Sequence, residues 1–271
     1  MNNIIDKPDL MCHSCGCNLV EGDTHAKTVS ISTYKLFYIF RGSCVFRIDG
    51  NDFLLAEDAS VMIFPFQKYE ITESSQIKFF WIEFSGFQAS VLIAQTAFSR
   101  KTPTVGRLGQ AGFEYLFEYP NCSSRTLYDN YRNNAVLLLI FSYYLEHYPV
   151  GKDKESEYLK EASELIRQNY SDPSFNVQKL ADLMQIDRSY LYRIIKDSIG
   201  ISPVEFLTNC RISIAEMLLI KESLSVKEVA FAVGYTDQLY FSRAFKRLSG
   251  SSPSEHRKRV KAPVLFKFGN E

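Results

Sequence analysis

The sequence predicts an α+β protein of two domains, an N-terminal antiparallel β-sandwich or barrel with helices and a C-terminal all-α domain. Its 271 residues are enough for two domains of ordinary size. Between residues 10 and 87, short apolar and aromatic runs alternate with turn signals, which is typical of antiparallel sheets. From there to about residue 260, apolar residues recur with a helical period. A short charged segment without apolar anchors, residues 151–157, predicts a linker between domains at 1–150 and 158–271.

The composition excludes several classes of protein. Lys+Arg and Asp+Glu both number 31, so the chain is not a uniformly basic, histone-like protein. A hydrophobic content of 46% with 14% aromatic residues excludes an intrinsically disordered chain. The longest strongly apolar run, Ala135–Phe141, is much shorter than the ~20 residues of a membrane-spanning helix, and the N-terminus lacks the features of a signal peptide. We therefore expect a cytoplasmic protein whose six cysteines are reduced.

Five apolar runs predict strands of the N-terminal domain, because each has the length of a strand and they recur at intervals of roughly 8–12 residues. They are YKLFYIF (Tyr34–Phe40), SCVFRI (Ser43–Ile48), DFLLA (Asp52–Ala56), ASVMIFP (Ala59–Pro65) and IKFFWIEF (Ile77–Phe84). The turn Asp49-Gly50-Asn51 predicts a hairpin between the second and third of these runs.

A long apolar helix is predicted at the end of the N-terminal domain, over Tyr128–Tyr148. Its apolar residues lie on more than one side, so part of its surface requires a cover. The cover is either the strand domain or the same helix of a second copy, and the sequence leaves both interpretations open. The second interpretation predicts a homodimer formed through the N-terminal domain.

The C-terminal domain contains a repeat of about 50 residues. The first copy is VQKLADLMQIDRSYLYRIIKDSIGISP (Val177–Pro203), and the second is VKEVAFAVGYTDQLYFSRAFKRLSGSSP (Val226–Pro253). In each copy, apolar residues at helical spacing predict a first helix, an aspartate predicts the N-cap of a second helix, and a glycine predicts its end. The bounding residues of the second helices are Asp187 and Gly200 in the first copy, and Asp237 and Gly250 in the second.

Two helices joined by a tight turn form a helix-turn-helix unit, whose second helix enters the major groove of DNA. One copy alone could equally be a helical hairpin with a solvated basic face. Two copies with Arg and Lys at the same positions of the exposed face favour DNA binding. Residues 188–261 contain thirteen basic and seven acidic residues, which fits contacts to phosphates. A helix predicted over Pro203–Leu219 would hold the two units at a fixed separation.

The exposed faces of the second helices supply the candidate DNA-binding residues. Side chains in the first turns and at mid-helix are predicted to reach base edges, with the arginines placed for bidentate contact with guanine. These residues are Ser189, Tyr192 and Arg193 in the first copy, and Gln238, Leu239, Tyr240 and Arg243 in the second. Lys196, Lys246 and Arg247 lie later in the helices and are predicted to contact phosphates. Tyr190 either contacts DNA or packs against the first helix, and both interpretations remain open.

The string VAFAVGYTDQLYFSRAFKRLSGSSPSEHR, which follows Lys227-Glu228, resembles the signature of the AraC-type (arabinose-regulator-like) transcription factors. Its G-Y-x-D…Y-F-S-R-x-F-K-R…G-x-S-P-S-x-x-R core begins at Gly234 and ends at Arg257, and the resemblance extends over Glu155–Lys261. It departs at His256, where an aromatic residue is usual, and at Ile195, where the first copy often has Phe. The resemblance implies a DNA-binding transcriptional regulator to which RNA polymerase is a possible partner.

The N-terminal string YIFRGSCVFRIDGNDFLLAEDASVMIFPFQKYEI, followed by FFWIEFSG, is similar to the cupin-like effector domain of the same family. It departs at Glu57-Asp58-Ala59 and at Phe66–Glu70. Members with this domain commonly regulate sugar-utilisation operons, so the resemblance implies a small effector, a carbohydrate, that controls DNA binding. An alternative is a ligand-independent or partner-controlled regulator whose cupin is degenerate.

The resemblance also implies where the effector binds. Arg41 and Trp81 match positions that touch sugar in the family, and Tyr38, Phe79 and Glu83 lie near them in strand phase. The alternative is that Trp81 and Phe79 are core residues and that Arg41 is ion-paired at the surface.

Two other functions compete with this interpretation, a metal-dependent enzyme and a metal or thiol sensor. No histidine lies between residues 34 and 84, so the His ligands of a metal-dependent cupin are missing, and we expect neither an enzyme nor a cofactor. Cys12, Cys15 and Cys17 have a spacing that can bind zinc or act as a redox switch. However, the stretch LMCHSCGCNLV also fits a first strand in which cysteine packs as a small apolar residue. The strand interpretation is favoured, and metal or thiol sensing stays an alternative.

Overall fold

A computed structural model describes residues 10–20, 28–74, 76–106, 115–116, 127–151, 154–220 and 224–261. Its first half contains strands and two helices. The strands are β1 (Met11–Val20), β2 (Val29–Ser30), β3 (Tyr34–Arg41), β4 (Cys44–Ile48), β5 (Asn51–Leu55), β6 (Ser60–Ile63), β7 (Lys68–Ser74), β8 (Ile77–Ser85) and β9 (Thr104–Val105), and the helices are α1 (Phe87–Ala94) and α2 (Leu127–His147). The five predicted strands, the strand of the cysteine-rich segment and the long helix are confirmed. The polar strand β7 was not predicted.

The strands form two antiparallel sheets. One sheet has the order β1-β8-β3-β6-β9, and the other has the order β2-β7-β4-β5. The hairpin between β4 and β5 turns at Asp49 and Gly50, whose φ angles of 48° and 86° are those of a tight two-residue turn. The prediction of this hairpin from its Asp-Gly sequence is therefore confirmed.

The first sheet lies between the second sheet and helix α2. Along β3, Leu36 and Tyr38 pack in one apolar cluster with Phe141 and other residues of α2, whereas Phe37 and Ile39 pack in a second cluster with residues of the other sheet. This alternation follows from the two-residue period of a strand. Helix α2 thus has a buried face covered by the strand domain, which confirms the first of its two predicted covers.

The second half is helical. Its helices are α3 (Lys154–Asn169), α4 (Val177–Leu183), α5 (Arg188–Ile199), α6 (Pro203–Ile220), α7 (Val226–Ala232), α8 (Gln238–Ser249) and α9 (Pro253–Lys261). Helix α3 begins at Lys154, so the predicted linker over 151–157 is wrong in its last four residues, which are helical. Charged residues without apolar anchors resemble a linker in sequence, but Lys154, Glu155 and Glu157 form the solvated first turn of an amphipathic helix. In the part of the chain that the structure describes, no helix could cross a membrane.

Two helix-turn-helix units are present, α4–α5 and α7–α8, with α6 between them. The Asp187 carboxylate accepts hydrogen bonds from the backbone N–H groups of Ser189 and Tyr190 at the start of α5, and Asp237 accepts one from Tyr240 at the start of α8. Both N-caps are therefore confirmed. The predicted ends of α5 and α8 are confirmed as well, because Gly200 and Gly250 adopt the left-handed conformation there, with φ of 76° and 73°.

The sheet domain packs against the first helix-turn-helix unit through an apolar contact. Helix α1 follows β8, yet Phe87 at its start belongs to the apolar cluster of the C-terminal helices. The Phe87 ring stacks on that of Phe206 in α6, with 4.9 Å between the ring centroids. The aliphatic and aromatic core of the first unit thus extends into the N-terminal half of the chain.

Polar contacts join the sheet domain to the C-terminal end of α5. The Tyr34 hydroxyl of β3 donates a 2.7 Å hydrogen bond to the carbonyl oxygen of Ile199. The backbone N–H of Arg100 donates to the carbonyl of Asp197 at 2.9 Å, and Lys101 forms a 2.5 Å ion pair with the Asp197 carboxylate. Because the last carbonyls of a helix have no partners within it, these donors complete the hydrogen bonding of the second helix of the first unit.

Candidate functional site

The second helices of the two units, α5 and α8, each bury one face and expose the other. Leu191, Ile194 and Ile195 are buried in α5, and Phe241, Ala244 and Phe245 are buried in α8. Nine of the ten predicted DNA-binding residues are exposed: Ser189, Tyr192, Arg193, Gln238, Leu239, Tyr240, Arg243, Lys246 and Arg247. Leu239 and Tyr240 expose 69% and 66% of their surface. The contact of these side chains with base edges stays a prediction.

The arginine at mid-helix in each unit is available for contact with a base. Arg243 is exposed and forms no hydrogen bond or ion pair with any described residue. Arg193 is exposed too, and its guanidinium lies 5.0 Å from the ring centroid of Tyr190. Tyr190 in turn meets the ring of Tyr158 in α3 edge-on at 5.8 Å. Tyr190 therefore packs against Tyr158 of α3 and against Arg193, and its predicted contact with DNA stays a prediction.

Lys196 differs from the other nine predicted residues. It is half-buried, and its Nζ donates a 2.8 Å hydrogen bond to the carbonyl oxygen of Gly200 at the end of its own helix. Burial lowers the pKa of Lys196, and the nearby Glu205 carboxylate opposes that shift. Its counterpart Lys246 is exposed. The structure thus places Lys196 at the contact with the sheet domain and not on the exposed face of α5.

A cavity of about 500 Å³ opens between the two sheets. Strands of both sheets contribute to its wall, and the side chains that line it are Asn18, Val29, Lys35, Phe37, Tyr69, Glu70, Ile71, Phe79 and Trp81. Its volume falls within the range of small-molecule sites, and its wall combines aromatic rings with a few polar groups, as such sites do.

The Trp81 indole is held in this cavity by three neighbours. A Cβ atom at Gly16 of β1 would come within 3.1 Å of the indole, so a side chain there would require the ring to shift by a few tenths of an ångström. The indole Nε1 donates a 2.8 Å hydrogen bond to Asn18 Oδ1. The Lys35 ammonium lies 4.0 Å from the ring centroid, in cation–π contact. Trp81 is therefore held in place by residues of the two adjacent strands, β1 and β3, without a ligand.

Lys35 is the chemically unusual residue of the cavity. Burial lowers the pKa of its ammonium group, and the Glu83 carboxylate opposes that shift. Glu83 instead accepts hydrogen bonds from Thr33 Oγ1 at 2.5 Å and Ser14 Oγ at 3.2 Å. The Lys35 ammonium lies over the rings of Phe37 and Trp81, and its side chain forms no hydrogen bond or ion pair with a described residue. The cavity thus contains a half-buried cation whose hydrogen-bond donors are available to a ligand.

Comparisons with known proteins agree with the helix-turn-helix units. A family model described as "Helix-turn-helix domain" matches residues 180–259, which extend from α4 into α9. The raffinose operon transcriptional regulatory protein of Pediococcus pentosaceus is 28% identical over 84% of this chain and 86% of its own length. The Msm operon regulatory protein of Streptococcus mutans is 28% identical over 78% and 76%. The arabinose operon regulatory protein of Escherichia coli is 35% identical over 36% of this chain and 34% of its own length.

The chain belongs to the AraC-type family of transcriptional regulators. Its C-terminal helices bind DNA, as the repeated units predict.

The predicted effector-binding residues of this AraC-type regulator do not all meet in the cavity. Phe79 and Trp81 line it, and Glu83 lies two residues further along the same face of β8. Tyr38 faces the opposite side of the sheet, where its hydroxyl donates a 2.9 Å hydrogen bond to Asp58 Oδ1. Arg41 is exposed, follows an irregularity at the end of β3 and lies outside the cavity wall. A strand places alternate residues on opposite faces, so nearness in sequence did not bring Tyr38 to the site.

The sequence interpretation missed Lys35 and Phe37, which contribute to the cavity from β3. The signal for Lys35 is its position within the predicted strand YKLFYIF. Lys35, Phe37 and Ile39 share one face of that strand, so a lysine stands on a face that is otherwise apolar. A lysine on a buried strand face is rare without a function or a partner.

The three clustered cysteines lie on β1, opposite the innermost residues of β8. Cys12, Cys15 and Cys17 pair with Phe84, Ile82 and Phe80, respectively. Cys12 and Cys15 pack against the apolar cluster between the first sheet and α2, whereas Cys17 is exposed. The sequence analysis favoured a first strand in which the cysteines pack as small apolar residues, and Cys12 and Cys15 pack in this way.

The regulator contains a buried carboxylate whose ionisation opposes folding. Glu216 of α6 accepts a hydrogen bond from Ser249 Oγ at the end of α8. Burial raises the pKa of the Glu216 carboxyl, and the hydrogen bond from Ser249 partly opposes this shift. A carboxyl with a raised pKa in the folded state binds its proton more tightly there than in the unfolded chain, so stability falls as the pH rises through that pKa.

We therefore expect Glu216→Gln to raise the melting temperature at about pH 8 and to change it little at about pH 4, where the carboxyl is already protonated. Glutamine keeps an oxygen for Ser249 and removes the charge. Glu228→Gln is the control, for which the opposite change in stability is expected, because hydrogen bonds from Ser225 lower the pKa of Glu228. That variant should lose stability at pH 8. Thermal unfolding of both variants at the two pH values checks the pair, and a destabilised Glu216→Gln at pH 8 contradicts the assignment.

Proposed function

We propose that this protein regulates transcription of a sugar-utilisation operon, binding duplex DNA under the control of a carbohydrate in the cavity between its sheets. In this proposal, residues 1–150 form a cupin-like effector domain, the DNA-binding domain begins with α3 at Lys154, and the protein acts in the cytoplasm. Support comes from relatives whose names refer to the raffinose and arabinose operons, together with the lactose operon transcription activator of Staphylococcus xylosus, 26% identical over 81% of this chain. The observation that carries the proposal is the cavity in which Trp81, Phe79 and the unpaired Lys35 meet.

The chemistry of the cavity fits a carbohydrate. Aromatic faces such as those of Trp81 and Phe79 pack against the C–H surface of a sugar ring. The Lys35 ammonium can donate to several hydroxyl oxygens, while Asn18 and Glu70 supply acceptor oxygens on other sides of the cavity. A ligand with an apolar face and several hydroxyl groups satisfies both parts of the wall.

Strand β3 connects the proposed effector site to the DNA-binding domain. Lys35 lines the cavity, and its neighbour Tyr34 faces the other side of the sheet and donates to Ile199 at the end of α5. The Tyr34 ring is buried among Phe64 and Phe84, so it moves with the strand. A ligand that shifts β3 at Lys35 thereby alters the contact that holds the first helix-turn-helix unit. In our proposal, this contact carries the signal from the effector to the DNA.

The test of the effector site is calorimetry with mono-, di- and trisaccharides on the wild type and three variants. We expect Lys35→Ala and Trp81→Ala each to weaken binding of the active saccharide by roughly ten- to hundredfold. Lys35→Ala loses hydrogen bonds from a charged group, worth about 1.5–3 kcal/mol, and Trp81→Ala loses stacking area of similar value. Arg41→Ala is the control, since Arg41 lies outside the cavity, and it should bind as tightly as the wild type.

Two outcomes would contradict this proposal. If no saccharide binds the wild type at millimolar concentration, the effector is not a sugar. If a saccharide binds and only Arg41→Ala loses affinity, the effector occupies another part of the domain.

We also propose that the protein acts as a homodimer and engages RNA polymerase at its promoter. Support for a second copy comes from helix α2, which keeps an exposed apolar side. Tyr131 and Leu139 each expose 50% of their surface although the opposite side of the helix is buried. The same helix in a second copy would cover them.

A further inference from the structure

Arg211 of α6 lies at a junction between the two helix-turn-helix units. Its Nε donates a 2.9 Å hydrogen bond to the carbonyl oxygen of Tyr170, and its Nη2 donates to the carbonyls of Asp172 at 2.9 Å and Phe175 at 3.1 Å. All three carbonyls belong to the loop between α3 and α4, which leads into the first unit. One guanidinium therefore fixes the entry loop of the first unit to the central helix.

The same guanidinium contacts the turn of the second unit. Its central carbon lies 5.7 Å from the ring centroid of Tyr235, in cation–π geometry. Next to Tyr235, a Cβ atom at Gly234 would collide with the carbonyl oxygen of Tyr170 and come within 3.1 Å of Arg211 Nη2. The turn of the second unit is thus seated directly on the entry loop of the first, with Arg211 between them.

The two copies of the repeat differ at this turn in a way that fits the junction. Gly234 and Gln185 both have a positive φ, 79° and 55°, at the turn between the two helices of their unit. Gln185 is exposed and tolerates a side chain, whereas Gly234 is buried against Tyr170. Tyr170 packs against the apolar clusters of both units. The second turn is therefore shaped by its contact with the first unit as well as by its own helices.

We propose that Arg211 is the positioning residue that fixes the distance and angle between α5 and α8, and so determines the half-site spacing that this protein accepts. Helix α6 connects the units covalently, but one helix end can pivot. The Arg211 junction adds a second attachment point off the axis of α6. Two modules joined rigidly gain affinity only when the DNA presents both half-sites at the matching separation.

The experiment begins with an operator selected from randomised duplexes by the full chain. Fluorescence anisotropy then gives the affinity for that duplex, for versions with one or two base pairs inserted between the half-sites, and for duplexes that keep one half-site. The variants are Arg211→Met, which keeps the aliphatic stem, and Arg211→Lys, which keeps the charge but not the forked donors. Arg257→Met is the matched control. Arg257 also donates to backbone carbonyls, those of Leu219 and Leu224, but these do not belong to the first helix-turn-helix unit.

For Arg211→Met we expect the affinity for the full operator to fall about tenfold or more, the range of ordinary coupling free energies. Its affinity for a single half-site should stay within about twofold of the wild type. In the wild type, an inserted base pair lowers the affinity by a certain factor. In Arg211→Met, this factor should be smaller, by the same ratio by which the affinity for the full operator has fallen. Arg211→Lys should show an intermediate loss, and it supplies the same test if the methionine variant does not fold. Arg257→Met should keep the wild-type spacing preference.

The proposal is overturned if the Arg211 variants lose affinity for the half-site and the full operator equally, because the residue would then only stabilise the fold. It is overturned as well if they keep the wild-type penalty for inserted base pairs, or if Arg257→Met relaxes the spacing preference to the same extent.

Discussion

Replacing Arg243 with alanine is expected to weaken binding to the specific operator by roughly ten- to hundredfold, because a bidentate arginine–guanine contact is worth about 1–3 kcal/mol. Arg243 is exposed at mid-helix in α8 and has no hydrogen-bond or ion-pair partner among the described residues, so the loss is not a loss of folding. Affinity for the selected operator and for duplexes substituted at each guanine gives the measurement. The variant should lose the preference for guanine at the one base pair that Arg243 contacts and keep the wild-type preferences at the other positions.

Lys246→Ala is the matched control one turn further along α8. Lys246 is exposed and is predicted to contact a phosphate, which carries no sequence information. Its loss should weaken binding to all duplexes alike and reduce the slope of log affinity against log salt by about one. If Arg243→Ala behaves like Lys246→Ala and leaves base discrimination unchanged, the assignment of α8 to the major groove is wrong.

The second large effect is expected at the contact between the sheet domain and α5. Gly200 and Gly250 occupy equivalent left-handed positions after α5 and α8. A Cβ atom at Gly200 would lie 2.8 Å from the Cβ of Phe64, a fully buried residue, whereas a Cβ at Gly250 would meet nothing within 4 Å. Both alanine variants pay about 1–2 kcal/mol for the left-handed conformation. Gly200→Ala should cost a further ~1–3 kcal/mol, because it overpacks the contact.

Chemical denaturation of the two variants measures this difference in the free energy of unfolding. In the proposed mechanism, Gly200→Ala also disconnects the effector site from the first unit, since Tyr34 donates to Ile199 beside Gly200. A saccharide should then still bind but no longer change the affinity for DNA, while Gly250→Ala keeps the wild-type response. The account is contradicted if both variants are equally destabilised and both still change their affinity for DNA when the saccharide binds. The contact at Gly200 would then neither exclude a side chain nor transmit the signal.

Local signals in the sequence were sufficient for the helix-turn-helix units and for the β4–β5 hairpin. Asp187 and Asp237 mark the starts of α5 and α8 by capping them, and Asp49-Gly50 imposes the turn by its backbone preference. Each of these residues acts on its immediate neighbours in the chain. Their structural consequences can therefore be derived without knowledge of the tertiary fold.

Contacts between distant parts of the chain could not be derived in this way. The burial of Phe87 among the C-terminal helices depends on how two domains pack. In the sequence, Arg211 counted only as one of the thirteen basic residues between 188 and 261, but its three carbonyl acceptors lie 36 to 41 residues away. Strand β7 escaped prediction because it has only two apolar residues, Tyr69 and Ile71, although these alternate with polar ones.

The central claim is that a ligand in the sheet cavity changes how tightly the helix-turn-helix units bind DNA. The most direct measurement is the affinity of the full chain for its selected operator with and without the saccharide identified by calorimetry. Linkage predicts a change of about 5–150-fold, and the operator should alter the affinity for the saccharide by the same factor. Trp81→Ala should abolish the change at a ligand concentration that saturates the wild type. A saccharide that binds the wild type and leaves its operator affinity unaltered would contradict the account.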